Sequence, residues 1–319
     1  MTDYTITILD ISQEELTELT ELPDDIDKYT NLKTLICWNN EITSLDNLPP
    51  NLKELDCHSN KLTSLDNLPP NLIELNCWRN NITSLDNLPP TLEILHCDGN
   101  QLTSLDNLPP NLLELNCGNN LITSLDNLPP TLEKLHCDNN PITSLDNLPN
   151  GQLAGHEDKP LGFPPTIKQL NCGNNLITSL DNLPQTLVYL ECYNNQITSL
   201  DNLPPNLEIL FCSYNQITNL DNLPSNLKVL YCQSNNLTSL DNLPPNLKDL
   251  NCANNRLTSL DNLPPNLKIL NCYNNNLTSL DNLPKLEGYL YCNQNPLIYD
   301  FEPTLENIRN YNASRMLDS

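Results

Sequence analysis

Thirteen cysteines stand at positions 37, 57, 77, 97, 117, 137, 172, 192, 212, 232, 252, 272 and 292. Thiols in that number could form disulfides, bind a soft metal or attack an electrophile. The spacing argues against the first two. A disulfide framework uses uneven intervals and as a rule an even count. A zinc site pairs cysteines two residues apart or adds histidines in register, and neither pattern occurs here. A cysteine that returns every twenty residues reads as a small buried apolar residue, and an odd set of free thiols suits a reducing compartment. His96, Asp98, His136 and Asp138 are the other candidate metal ligands. Residues i and i+2 of a strand share a face, but His136 lies two strands away from His96, roughly 10 Å. That is too far for two imidazoles to share one ion at about 2 Å each. A row of aspartates, from Asp46, Asp66 and Asp86 on to Asp281, would place like charges about 5 Å apart. Such a row accepts backbone hydrogen bonds or shares cations, calcium among them. No Ser/His/Asp or Cys/His set, phosphate loop or paired acids stands out from the repetition. The expectation is no enzyme, no cofactor and no metal.

The elements that hold these residues follow from the repetition itself. The stretch Leu52-Lys-Glu-Leu55-Asp-Cys57-His-Ser-Asn60-Lys-Leu62 reads L-x-x-L-x-C-x-x-N-x-L. Leu55 and Cys57 alternate with Glu54, Asp56 and His58, which is a strand with an apolar inner side. The stretch Ser-Leu-Asp-Asn-Leu-Pro-Pro-Asn-Leu returns the chain. Two prolines exclude a helix there and favour extended polyproline II backbone. Leu45 and Leu48 point inward, and Asp46 with Asn47 closes a turn. The asparagine of the signature recurs at Asn60, Asn80, Asn100, Asn120, Asn140, Asn175, Asn195, Asn215, Asn235, Asn255 and Asn275. Beside a core its amide must find partners, and the bends of its own and the adjacent repeat supply them. A fixed period of this length means a stacked array in which each unit contacts its neighbours.

The pattern matches the leucine-rich repeat signature, with Cys in the third apolar place. The fold expected is a leucine-rich repeat solenoid, a curved right-handed horseshoe. A parallel β-sheet would line its concave face, and its convex face would be extended with little helix. Residues 1–30 read as an N-terminal capping repeat and 31–298 as thirteen repeats. An insertion at about 151–163 reads as a surface loop, with a projecting binding loop as the alternative. Residues 299–319 read as a C-terminal cap in which Pro303 starts a helix and Leu305, Ile308 and Met316 cover the last repeat.

The 319-residue chain carries a net charge of −25, which excludes bare nucleic acid as a partner and suits a basic one. No signal peptide, transit peptide or membrane span is evident, so a cytoplasmic location and no membrane partner are expected. The positions that vary between repeats flank the buried Leu and Cys. They should face the concave groove, where packing does not restrict them. Aromatics gather there. Tyr189, Tyr193, Phe211, Tyr214 and Tyr231, extended by Ile209 and Val229, form one cluster. Trp38, His58 and Trp78 form a second, and Tyr273, Tyr289 and Tyr291 a third. Aromatics are typical interface anchors. The function expected is a non-enzymatic protein–protein interaction scaffold that binds on the concave face. The alternatives are a small-molecule or carbohydrate binder on the same aromatics, or a structural protein without a specific partner.

The unit Leu-Pro-Pro-Asn-Leu-Lys-Glu-Leu-Asp-Cys-His-Ser-Asn-Lys-Leu-Thr-Ser-Leu resembles the short repeat of YopM-type and IpaH-type bacterial effectors over about residues 31–298. Here Cys replaces the usual Val or Ile, and Asp-Asn replaces the first Pro-containing step. The resemblance implies the same solenoid and adds the cytosol of a host cell as a location. IpaH-type ligases carry a separate catalytic domain with a reactive Cys. All thirteen cysteines here belong to the repeat, so ligase activity does not carry over. The Asn-rich, near-identical copies also resemble repeat arrays of giant viruses of amoebae.

Overall fold

The computed structural model describes residues 3–19, 26–149, 167–281 and 283–317. The segment 151–163 lies outside the described residues. The chain divides into two compact units. The first comprises residues 1–143 and 147–171, and the second 144–146 and 172–319.

Each unit is a stack of coils, most of them twenty residues long, and each coil contributes one short strand. In the first unit these are β1 (Ile8–Asp10), β2 (Thr34–Ile36), β3 (Glu54–Asp56), β4 (Glu74–Asn76), β5 (Ile94–His96), β6 (Glu114–Asn116), β7 (Lys134–His136) and β8 (Gln169–Asn171). Consecutive strands pair in parallel, with Leu35 opposite Leu55, Leu55 opposite Leu75 and Leu75 opposite Leu95. In the second unit, β9 (Tyr189–Glu191), β10 (Ile209–Phe211), β11 (Val229–Tyr231), β12 (Asp249–Asn251), β13 (Ile269–Asn271) and β14 (Leu290–Tyr291) continue the same rule. Every strand between β2 and β13 buries its central Leu, while its two flanking residues stay half-buried or exposed. The alternation of apolar and polar residues in the sequence is what imposes this.

The cysteine column lies directly inside the sheet. All thirteen thiols are free and buried. Burial pushes the Cys37 and Cys212 thiols up to about 12. Several also donate to a carbonyl of the next coil, as Cys117 Sγ does to His136 O at 3.4 Å and Cys252 Sγ to Asn271 O at 3.4 Å. An S–H group can do this where Val or Ile cannot.

The asparagine row stitches coil to coil. Asn60 Nδ2 donates to Cys57 O in its own coil and to Cys37 O in the preceding one, both at 3.0 Å, and Oδ1 accepts from Ile42 N at 3.0 Å. Asn215 repeats the arrangement on Cys212 O, Cys192 O and Ile197 N. At the start of the array, Asn40 Oδ1 accepts from Glu14 N and Leu16 N instead. The residue before each of these asparagines is left-handed, for example Asn194 (φ 51°) and Tyr214 (φ 55°). Asn is the commonest residue there because its side chain tolerates that region.

The return segments hold no α-helix among the described residues. Their turn residue is again a left-handed Asn, such as Asn67 or Asn87 (both φ 65°). Its Nδ2 donates to the aspartate one coil back: Asn67 to Asp46 Oδ1 at 2.7 Å, Asn107 to Asp86 Oδ1 at 2.7 Å. Serines two residues upstream donate to the same carboxylates, as Ser199 Oγ does to Asp201 Oδ2 at 2.6 Å. Amide and hydroxyl donors therefore offset the repulsion along this row. One inward placement differs from the sequence reading. Leu45 is buried, but Leu48 is only half-buried, and the proline after it takes the inner place. The locked proline φ aims the ring into the coil before the chain turns back toward the strand.

At the far end of the second unit, α1 (Leu305–Leu317) closes the last coil. Thr304 caps its N-terminus through Oγ1, and Ile308 is buried. Leu305 is half-buried, and the side chain of Met316 lies outside the described residues. Asn312 Nδ2 donates to Leu280 O at 3.1 Å, Arg309 donates to Leu286 O, and Leu280 N donates to Tyr299 OH at 2.5 Å. These bonds satisfy return-segment backbone that no further coil covers.

Candidate partner-binding face

The outward side chains of the strands form the candidate face, and each unit carries its own part. In the first unit, Trp38, His58 and Trp78 follow the cysteine on three successive coils. They stack face to face, Trp38 to His58 at 5.3 Å and 10°, and His58 to Trp78 at 4.3 Å and 9°. The Arg79 guanidinium extends the column, 4.8 Å from the Trp78 ring. Asp56 Oδ1 sits 2.6 Å from His58 Nδ1 and fixes the imidazole between the indoles. Farther along, His96 Nε2 lies 3.3 Å from Glu114 Oε1, and Lys134 Nζ holds Oε2 of the same carboxylate at 2.9 Å. Burial works against the Glu114 charge, but Lys134 and His96 outweigh it and hold its pKa below the ordinary value. Burial raises the pKa of Asp98. Asn171 Nδ2 and Asn139 Nδ2 both donate to Asp138. Two of the four candidate metal ligands, His96 and Asp138, thus have protein partners. Among the described residues no three His, Cys, Asp or Glu side chains are grouped to hold an ion.

In the second unit, Tyr189, Phe211 and Tyr231 occupy adjacent strands and touch in sequence. Tyr189 meets Phe211 edge-on at 5.7 Å, and Phe211 stacks on Tyr231 at 4.8 Å. A carboxylate restrains each tyrosine. Tyr189 OH donates to Glu191 Oε1, and Tyr231 OH donates to Asp249 Oδ2 at 3.2 Å. Burial first, then these neighbours, raise both phenol pKa values, so both remain donors at neutral pH. Ile209 pairs with Val229 and Tyr189 across the strands at the position before the buried leucine, and both aliphatic residues are half-buried. Tyr214 stands apart on the bend, 57% exposed. Tyr273 is exposed, and Tyr289 and Tyr291 are exposed and stacked on each other at 6.1 Å.

Packing does restrict these variable positions, contrary to the sequence reading. Tyr193 lies across the coil below it, on Gly173. A Cβ built on Gly173 would fall 2.5 Å from the tyrosine ring. Asp138 likewise lies over Gly118, 3.0 Å from where a Cβ would stand. Ser213 and Ala253 are buried although their row faces outward. From Asp98 to Tyr273 larger and smaller residues alternate along this row, so side chains lean onto the preceding coil. Sequence reasoning also missed Arg79 as part of the indole column and Glu191 and Asp249 as the hydroxyl anchors. Leu121 and Leu176, exposed at the position after the ladder asparagine, went unnoticed as well. The signal for the alternation is present in the residues themselves: Gly173, Ser213 and Ala253 interleave with Tyr193, Gln233 and Tyr273.

Comparison with known proteins places this geometry in a family. The family described as "Leucine Rich repeats (2 copies)" matches residues 30–70, 185–225, 205–244 and 225–265. No curated protein matches the sequence. Among solved structures, YopM, the leucine-rich effector of Yersinia pestis, is 34% identical. The match covers 91% of this chain and 78% of that one, with a TM-score of 0.76. The functional domain of InlJ from Listeria monocytogenes, described as including a cysteine ladder, is 35% identical. It matches 92% of this chain with a TM-score of 0.74, and the chain spans 64% of that domain. These relatives lend no support to the viral likeness. Twenty-residue coils, an asparagine row under a parallel sheet and a YopM match along nine-tenths of its length make this chain a member of the leucine-rich repeat proteins.

Proposed function

We infer that this chain is a non-enzymatic scaffold that binds a protein partner across the outward face of its β-sheet. Tyr189, Phe211 and Tyr231 would be the anchor. One observation carries the reading. Three aromatic rings on adjacent strands are already in contact, and the two phenols are already tied down. Aromatic area ordered before binding costs little entropy on association. Glu191 and Asp249 flank the rings and, with the net charge of −25, favour a partner that brings basic residues. The thiols are buried, and His58 and His96 sit against carboxylates. Thirteen reduced thiols suit the cytoplasm, or the cytosol of a host cell.

Affinity capture from cell lysate tests the reading. Wild type is compared with the triple variant Tyr189→Ser, Phe211→Ser, Tyr231→Ser, after circular dichroism has established that the variant is folded. Wild type should retain a specific protein that the variant loses. Capture of the same proteins by both would remove the anchor from the account.

A further inference from the structure

The two ends of the array carry unpaired strand edges that complement each other. In the second unit each strand donates forward: Leu270 N to Tyr289 O, Cys272 N to Tyr291 O and Asn274 N to Asn293 O, at 2.8–2.9 Å. One coil on, the equivalent donors are the N–H groups of Leu290, Cys292 and Gln294. No described residue accepts from them. In the first unit Ile11 N donates to Ile36 O and Gln13 N to Trp38 O. The equivalent carbonyls one coil back, on β1 and its bend, belong to Ile8, Asp10 and Ser12. No described group donates to their outer side.

The side chains at both edges agree. Leu290 and Leu9 are half-buried, unlike the central leucines of β2–β13, which are buried. On the outward face Tyr289 is 66% exposed and Ile8 60% exposed, at equivalent places in their strands. The bends also match, since Gln13 and Gln294 have φ of 61° and 60°. Short as they are, unpaired edges of this kind offer free N–H and C=O groups for strand addition.

We propose that β14 of one molecule pairs in parallel with β1 of a second copy, so that the chain associates head to tail. Leu290 N would donate to Ile8 O, Cys292 N to Asp10 O and Gln294 N to Ser12 O of the second copy. Leu9 would close over Leu290, and Ile8 over Tyr289. The contact is a pairing along the sheet edge, because α1 closes the core below it. Such a contact is heterologous and leaves one free edge at each end, so association continues past the dimer into rings or open chains. Like charge on every copy opposes it, so added salt strengthens it.

Sedimentation velocity over a range of protein and salt concentrations tests this. The mean mass of wild type should rise above the 36.0 kDa monomer with both concentration and salt. Ile8→Asp and Tyr289→Asp, each at an exposed site that leaves the fold intact by circular dichroism, should each remain monomeric. An equimolar mixture of the two retains one working edge per molecule and should stop at the dimer. Tyr214→Asp, equally exposed but away from both edges, should associate as wild type does. Four results would each overturn the proposal. They are a monomeric wild type under all conditions, association retained by either edge variant, a mixture that fails to dimerise, and loss of association in Tyr214→Asp.

Discussion

The protein should unfold between pH 9 and 10, well below the pH at which a typical domain of this size fails. The cause is the cysteine column. Burial raises the pKa of eleven of its thiols above the ordinary 9.0, among them Cys37 and Cys212 to about 12. In the unfolded chain the same thiols ionise near 9. The folded state binds more protons above that value, so stability is complete below pH 9 and falls as pH rises toward the folded pKa values. One unit above 9.0, each thiol whose folded pKa lies well higher costs somewhat over ~1 kcal/mol. The ten such thiols from Cys37 to Cys272 together cost on the order of 10 kcal/mol, comparable with the whole stability of a domain. Urea titrations followed by circular dichroism from pH 7 to 10 should show a steep loss. Thiolate ultraviolet absorbance should appear with unfolding and not before it. A midpoint that stays flat to pH 10, or thiolates that form while the protein is folded, would show that the column is not buried.

Asn195→Ala should be among the most damaging single substitutions. The amide donates to Cys172 O (3.0 Å), Cys192 O (3.1 Å) and Tyr193 O (3.2 Å) and accepts from Ile177 N (2.9 Å). Truncation leaves Ile177 N without its acceptor and takes one of the hydrogen bonds that each carbonyl accepts, Cys172 O keeping Asn175, Cys192 O keeping Asn215 and Tyr193 O keeping Asn174 N. At roughly 1–3 kcal/mol for the unsatisfied N–H and about 0.5–1.5 kcal/mol for each of the three lost bonds, the loss is about 3–6 kcal/mol. Asn195→Asp does not rescue it, because a carboxylate cannot donate. Tyr214→Ser, at a 57% exposed site in the neighbouring coil, should stay within about 0.5 kcal/mol of wild type. Chemical denaturation of the three variants checks the ranking. Equal losses for Asn195→Ala and Tyr214→Ser would mean that the two rows have been assigned to the wrong sides of the coil.

Most of this fold is legible because its constraints repeat. A strand that must pair with its own copy on both sides allows one central residue type, and Leu35 through Leu270 show it. The asparagine is legible for the same reason, since a polar residue held invariant beside leucines has to serve backbone groups. The outward face is harder to read. Gly173 under Tyr193 and Gly118 under Asp138 are coupled across twenty or more residues, and no periodicity marks a pair that varies. Exposure does not mean freedom there, because neighbouring side chains on a parallel sheet lie close enough to pack. The inward proline after Leu48 is not legible, because in a sequence proline marks a break in regular structure and nothing in its type shows that its ring lines a core. The aromatic clusters were visible as composition, but their internal order was not. The fold itself places Arg79 on Trp78, Asp56 against His58, and Asp249 on Tyr231.

Site-specific photo-crosslinking tests the central claim most directly. A benzophenone side chain is placed in turn at Ile209, on the outward face between the aromatic rows, and at Asp241, on the return segment of the same unit. Each protein is irradiated in cell lysate. A discrete crosslinked protein is expected from position 209 and is expected to be absent from position 241. Crosslinks from position 241 alone, or the same products from both, would contradict a scaffold that works through its sheet face.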